Sequence, residues 1–331
     1  MDEVAIIADF EGVGFDFAKG IYNYLKVRGK RDFLVSLVDV EKTEFKDKEF
    51  KVRIKENIRR KKCFFIHDSN KNPSIWMTEL LFALEALRFS SPSEINVILP
   101  YTKFARQERK DESRVGVNAK ALADVISMYA TRGMTVDLHA SQMQEYFTIP
   151  FDNLYSFPSL IEHLEKNHKD FLNNLVVVSP DLGGGKRAEA FVKRLVKKGY
   201  GADIALGHKT REKDNEVSKN LIIGDVEGKN CLILDDMIDT GGTMVKTGEV
   251  LREKGAKSVF AYGTHGLFTS GLEKFEIFDK LITSNTLKNM GAKNLEVVSL
   301  IELFGEAIYR TIIGESLSNL FNGHKEKIIG G

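Results

Sequence analysis

Short apolar runs recur along the chain at 4–8, 33–38, 63–67, 95–99 and 134–138, then at 175–179, 202–206, 231–234, 258–262, 280–283 and 295–299. Several are near-continuous and rich in Val and Ile, as strands covered on both faces must be. Between them lie stretches with helical spacing, 77–89, 119–129, 185–198 and 243–254. Strand alternating with helix predicts an α/β fold with mainly parallel sheets flanked by helices. The series runs twice. The run 95–99 followed by Pro100 matches 175–179 followed by Pro180, and 134–137, ending in an acid, matches 231–235. Duplication of one α/β domain is therefore expected, with a hinge at 155–158 (YSFP), where Pro158 interrupts the pattern. The polar tail after Phe321 (NGHKEKIIGG) is expected to fray.

Composition sharpens this picture in a few places. A chain of 331 residues suits two domains of ordinary size. Hydrophobic residues at 43% and charged residues at 29% fit a globular protein with a real core. A net charge of +1 provides no global field for nucleic acid or an anionic membrane, so neither is expected as a partner. Cys63 and Cys231 each sit in an apolar run and read as buried thiols; they support neither a disulfide framework nor a zinc site. The acidic start MDEVAIIADFEG does not read as a signal peptide, and no apolar run is long enough to span a bilayer. A cytoplasmic location is the expectation.

The strongest chemical signal is LILDDMIDTGGTM, 232–244. An apolar strand leads into Asp235 and Asp236, Asp239 follows, and Thr240, Gly241, Gly242 and Thr243 open a helix. Ligands in open α/β sheets sit beyond the carboxyl ends of strands. Paired glycines allow a tight turn and close approach to a phosphate, and a helix N-terminus offers N–H groups to it. The acids have the wrong charge for phosphate but can accept hydrogen bonds from sugar hydroxyls. A lone TGGT would read as an ordinary turn and cap; this order of acids and glycines directly after LIL does not.

Further segments carry polar chemistry. The stretch 104–114 (FARQERKDESR) is either a solvated basic loop or a phosphate-binding one, Arg106 and Arg109 being suited to forked phosphate contacts. DLHASQ at 137–142 places His139 just past a strand end, and SPDLGG at 179–184 is a second strand-to-glycine turn with an acid, Asp181. GHKTREK at 207–213 reads as an exposed, moving basic loop.

Together these segments resemble ribose-phosphate pyrophosphokinase, specifically its phosphate-activated class I. The resemblance runs from about Thr43 to Phe321. It is carried by FKDKE at 45–49, ARQERK at 105–110, DLHASQ, SPDLGG, HKTR at 208–211, DDMIDTGGT at 235–243 and GESLSNLF at 314–321. The resemblance implies two type I phosphoribosyltransferase-like domains with the site between them, 1–157 (joined by a C-terminal helix over 302–322) and 158–301. It implies transfer of the β,γ-diphosphoryl group of ATP to the C1 hydroxyl of ribose 5-phosphate, giving phosphoribosyl pyrophosphate (PRPP) and AMP for nucleotide biosynthesis.

By the same resemblance, Lys209 and Arg211 are catalytic. Phe45, Asp47, Glu49, Arg106, Gln107, Arg109 and His139 bind ATP. Asp235, Asp236, Asp239, Thr240, Gly241, Gly242 and Thr243 hold ribose 5-phosphate, and His139 and Asp181 serve Mg²⁺. Arg59, Ser316 and Ser318 form an allosteric site for phosphate or ADP, with inorganic phosphate as activator. The partners implied are ATP, ribose 5-phosphate and further copies of the chain, in a hexamer built from dimers.

Departures are confined. Lys48 stands where the family commonly has glycine, Glu108 replaces Asp, and HDSN at 67–70 and PSIW at 73–76 replace the usual turn and Asn-Asp-Asn run. Two other classes stay open. A phosphoribosyltransferase that consumes PRPP would need one domain and no Phe45 stretch. A non-catalytic regulatory partner would show lesions at Lys209, Arg211, His139 or Asp235.

Overall fold

The computed structural model describes residues 2–210, 219–288 and 291–321. The chain divides into two compact units. One comprises Met1–Tyr155, Thr286–Lys288 and Leu300–Leu317; the other comprises Ser156–Asn285, Asn289–Ser299 and Ser318–Gly331.

The first unit contains β1 (Asp2–Ala8), α1 (Phe15–Arg28), β2 (Phe33–Glu44), β3 (Phe50–Ile54), β4 (Lys62–Ile66), α2 (Pro73–Phe89), β5 (Glu94–Leu99), α3 (Asn118–Tyr129), β6 (Arg132–Val136) and β7 (Phe151–Leu154). The second contains α4 (Phe157–Asn167), β8 (Leu175–Ser179), α5 (Gly185–Lys197), β9 (Ala202–Thr210), β10 (Lys219–Ile223), β11 (Asn230–Ile238), α6 (Gly242–Glu253), β12 (Ser258–Gly266), β13 (Lys280–Ser284) and β14 (Leu295–Val298). Helix α7 (Ile301–Ile313) packs on α1 in the first unit, where the Tyr24 hydroxyl donates to Glu306 at 2.8 Å. The helix expected over 302–322 ends at Ile313, because Gly314 turns left-handed at φ 77°.

The two sheets have one topology. Their strand orders are β3-β2-β1-β4-β5-β6-β7 and β10-β9-β8-β11-β12-β13-β14, parallel except for β2–β3 and β9–β10. The duplication expected from the apolar pattern is present, but the matching pairs differ from those the pattern suggested. By position, β8 answers to β1 and β11 to β4, so 175–179 does not match 95–99 and 231–235 does not match 134–137. The two cysteines mark the true correspondence. Cys63 and Cys231 are each the second residue of equivalent central strands, and each thiol donates to the carbonyl two residues earlier. Burial pushes them up, to about 12 and about 11, so both stay protonated and inert.

Central strands are apolar on both faces because helices cover both. β8 (LVVVS) is buried throughout, and α5 lays Ala188, Phe191 and Leu195 on the sheet at a helical interval. Burial of a ring such as Phe191 contributes ~2–3 kcal/mol. Pro158 follows the boundary between the units, which falls at Tyr155 and Ser156. It occupies the first turn of α4, where its fixed φ suits a helix start. Edge strands β3 and β10 escape the apolar pattern because they are short and half-solvated.

Candidate functional site

In the second unit, β8 and β11 are adjacent and parallel, and the chain leaves them in opposite directions, β8 toward β9 and β11 toward β12. Such a switch point opens a crevice beyond the carboxyl ends of the strands. β11 does not stop before its acids. It pairs with β8 only to Ile233, then continues beside β12 to Ile238, which carries Asp235 and Asp236 past the end of β8. The Thr269 hydroxyl, in the loop after β12, donates to Asp239.

Gly241 has φ 70°, and a Cβ there would lie 2.2 Å from the ring of Phe275. Both backbone and packing therefore demand glycine. Helix α6 starts at the next residue, with no acidic side chain in its first turn. Nothing there offsets the positive end of the helix, which suits an anion.

Arg187, in the first turn of α5, holds the acid pair. Its Nη1 lies 3.1 Å from Asp235 Oδ1 and 2.9 Å from Asp236 Oδ1. The Asp236 N–H also donates to Asp235 Oδ1 at 2.9 Å. Burial, and then the neighbouring Asp236, push the Asp235 carboxyl well above the usual carboxylate range, with Arg187 opposing. Sequence reasoning missed Arg187. The signal was its place in GGGKR, at the start of a helix that follows a strand end. On the loop between β8 and α5, Asp181 is exposed and one of its carboxylate oxygens accepts the Gly184 N–H at 2.9 Å.

The basic stretch at 207–213 is not a loop throughout, as expected. Residues 207–210 are strand, the end of β9, paired with β10 as Lys209↔Asn220 and Thr210↔Lys219. β9 leaves β8 at Ser179↔Leu206 and extends four residues beyond it, on the crevice side of the sheet. Gly207 passes over Pro180 so closely that a Cβ would meet the Pro180 carbonyl oxygen at 2.5 Å. Arg211 lies outside the described residues.

In the first unit, the loops after β5 and β6 emerge side by side at the carboxyl edge of the sheet. The first bears Arg106 and Arg109, both exposed, and Gln107; the second bears His139, also exposed. The loop holding His139 is fixed from β7, since Asp137 N–H donates to Leu154 O and Leu138 N–H to Asn153 Oδ1, each at 3.0 Å. Gln107 has a structural task. Its Oε1 accepts the Asn118 N–H at 2.7 Å, capping α3, which lacks a side-chain cap from its own N-terminus.

Phe45, Asp47 and Glu49 form the tip of the β2–β3 hairpin, well beyond the last β1 pairing at Ala8↔Asp39. Phe45 is 48% exposed. Lys48 takes φ 75°, which explains why glycine is common at this position in the resembling family. Arg59, Ser316 and Ser318 are all exposed.

The first unit has the same switch point, between β1 and β4, but its chemistry differs. There Pro73 removes an N–H from the first turn of α2, and the Asn72 side chain accepts the Ser74 N–H at 3.1 Å. Lys71 bridges Asp9 and buried Glu79, beside a 440 Å³ cavity lined with acids. The start of α2 thus has one N–H replaced by Pro73 and another taken by Asn72, whereas the start of α6 has no side-chain cap.

The sequence matches the profile of the N-terminal domain of ribose phosphate pyrophosphokinase over residues 15–129, and that of the phosphoribosyl synthetase-associated domain over 208–322. It is 41% identical over 283 residues to the ribose-phosphate pyrophosphokinase of Wolinella succinogenes, covering 84% of this chain and 89% of that one. The chain belongs to the ribose-phosphate pyrophosphokinase family. The enzyme so named from Vibrio parahaemolyticus is 40% identical, over 87% of this chain and 92% of its own. The crystal structure of phosphoribosylpyrophosphate synthetase from Mycobacterium smegmatis superposes with a TM-score of 0.83 at 29% identity, covering 95% of this chain and all (100%) of that one.

A carboxyl group whose folded value is raised holds a proton that the unfolded chain releases. Stability from Asp235 is therefore lost as pH rises from ~4 toward the raised value. Asp235→Asn should leave stability near pH 4 almost unchanged and raise it at pH 8 by at least about 1 kcal/mol, in line with the linkage slope, or roughly 2–4 °C. Thermal unfolding of both proteins at the two pH values checks this; a gap that is constant or shrinks with pH contradicts the burial argument.

Proposed function

We propose that this pyrophosphokinase-family chain transfers the β,γ-diphosphoryl group of ATP to C1–OH of ribose 5-phosphate, giving PRPP and AMP in the cytoplasm. The observation that carries the reading is the second-unit crevice, where Asp235, Asp236 and Asp239 stand beside a glycine-opened helix start with no acid in its first turn. In this reading the 5-phosphate sits against Thr240, Gly241, Gly242 and Thr243, and the ribose hydroxyls donate to Asp235 and Asp239. Asp236 and Arg187 hold Asp235 in place. The anomeric hydroxyl oxygen forms a bond to the β-phosphorus and gives up its proton to solvent, the bond from that phosphorus to the α–β bridging oxygen breaks, and AMP leaves with that oxygen. Such transfer depends on positioning and charge neutralisation rather than covalent help from the protein.

Mg²⁺ is the proposed metal. Clustered carboxylates are hard oxygen donors of the kind it selects, and the raised Asp235 marks a place short of positive charge. Asp181, exposed, with one oxygen shaping its own loop, would serve the ion, and His139 would serve it on the nucleotide side. When bound, the ion neutralises charge on the phosphates. Arg106, Arg109, Phe45, Asp47 and Glu49 bind ATP in this reading, and Gln107 contributes chiefly by holding the loop to α3. Lys209, on the extended end of β9, and Arg211 stabilise charge on the group in transit.

Purified protein should form AMP only when ribose 5-phosphate is present. Lys209→Ala should lower kcat by roughly 10²–10³-fold with little change in ribose 5-phosphate affinity, because an interaction made in the transition state costs rate when lost. Normal turnover in that variant removes Lys209 from the mechanism, and AMP formation without the sugar overturns the reaction.

Activation by phosphate and inhibition by ADP at Arg59, Ser316 and Ser318 belong to the same reading. Activity should fall sharply in phosphate-free buffer. Full activity there, with ADP simply competing against ATP, argues that no such site exists.

The exposed hairpin tip supports a shared active site in a hexamer built from dimers. Phe45 of one copy would stack on adenine held by Arg106 of another, worth ~1–2 kcal/mol. Phe45→Ala and Lys209→Ala should each be impaired alone, while co-refolded mixtures regain a sizeable fraction of activity. Hybrids, verified by differential tags, that stay as impaired as the parents exclude a clamp supplied in trans.

A further inference from the structure

Away from the crevice, the second unit gathers two imidazoles and a carboxylate that the proposed reaction does not use. His163 lies on α4, His168 caps the end of that helix, and Glu296 lies on the edge strand β14. The Nε2 atoms of both histidines lie 2.8 Å from the same oxygen, Glu296 Oε2. All three potential ligand atoms fall within 4.8 Å of one another. All three side chains are largely withdrawn from solvent, at 16%, 15% and 22% exposure. We propose that His163, His168 and Glu296 form a site for a divalent first-row transition ion, for which Zn²⁺ is the natural probe.

The surroundings fit that role. The other Glu296 oxygen, Oε1, is held by Lys280 Nζ at 2.6 Å, which fixes the carboxylate and leaves Oε2 toward the histidines. The Asn167 side-chain amide nitrogen lies 3.1 Å from His163 Nδ1 and orients the ring. The His168 ring stands edge-on to Phe260 at 5.1 Å, and Phe260 is itself stacked on Phe171 at 3.7 Å.

Two imidazoles with one carboxylate suit Zn²⁺ and its neighbours rather than Mg²⁺ or Ca²⁺, which prefer oxygen. Bond lengths of ~2.0–2.2 Å require only small side-chain adjustments from the observed spacing, with the ion replacing the Nε2 protons, the Asn167 amide turning its oxygen to His163 Nδ1–H, and water completing the coordination. The ion would tie the end of α4 to the exposed edge of the sheet, a structural staple independent of catalysis.

The test uses the full chain, stripped with chelator and returned to buffer with excess Mg²⁺ to fill oxygen-rich sites. Calorimetric titration should show one Zn²⁺ per chain, and Zn²⁺ should raise the unfolding temperature where further Mg²⁺ does not. His163→Gln and Glu296→Gln should each weaken Zn²⁺ binding by at least about ten-fold. No uptake by the wild type, or undiminished uptake by both variants, overturns the proposal. Should the variants fail to fold, anomalous diffraction at the zinc edge from wild-type crystals decides it: the peak lies among these three side chains, or the site is refuted.

Discussion

A parallel sheet built outward from a central pair of strands must send the chain away from that pair in opposite directions. The loops therefore diverge at the carboxyl edge, and the backbone N–H groups of the following helix are left facing the gap. In the second unit this constraint operates between β8 and β11, and the candidate site is assembled around it. β11 outruns β8 and carries its acids into the gap. Gly241 turns the chain left-handed against Phe275 so that α6 can begin there. Arg187 enters from α5, which follows β8, and joins the two sides through the acid pair. The same constraint acts in the first unit, where Pro73, Asn72 and Lys71 satisfy it internally. Duplication supplied two switch points, and their side chains made them different.

The electrostatics of the second-unit crevice contain a conflict. An anion is favoured at the start of α6, while Asp235 and Asp236 stand close enough for one to raise the other. Arg187 relieves only part of this, since one cation faces two acids. A ligand with hydroxyls at one end and phosphate at the other, accompanied by a divalent cation, as proposed, would resolve the remaining conflict. A sugar phosphate has that shape. Holding the two acids together costs stability, as expected where acids are placed for binding rather than for folding.

Much of this was legible in the sequence. Buried parallel strands announce themselves as continuous Val and Ile runs, and DDMIDTGGT sits where acids, left-handed glycine and helix start each have a separate reason to be. What was not legible follows from physical causes. β3 and β10 are half-solvated edges and carry no apolar signature. The internal match of β4 with β11 was hidden because its apolar residues differ, leaving two cysteines as the visible trace. Arg187 lay inside an amphipathic helix where a charged residue reads as solvent-facing. The cap that Gln107 supplies to α3 was not legible, because it joins residues eleven positions apart. His163, His168 and Glu296 are brought together only by the packing of α4 on β14.

The strand assignment of Lys209 constrains its backbone. A loop would place that side chain by chance encounters over many conformations. A residue at the end of β9 has a fixed register, with Asn220 opposite and Gly207 pinned over Pro180 two residues earlier. Beyond Leu206, however, β9 has lost β8 and keeps β10 as its partner. A two-stranded ribbon without a third strand is marginally stable in water. Its ordering free energy is therefore small, and contact with a bound polyphosphate can offset it. Lys209 rides on an element that is geometrically defined when formed and inexpensive to form. In the proposed reaction such an element would admit substrate, settle over the transferring group and release product.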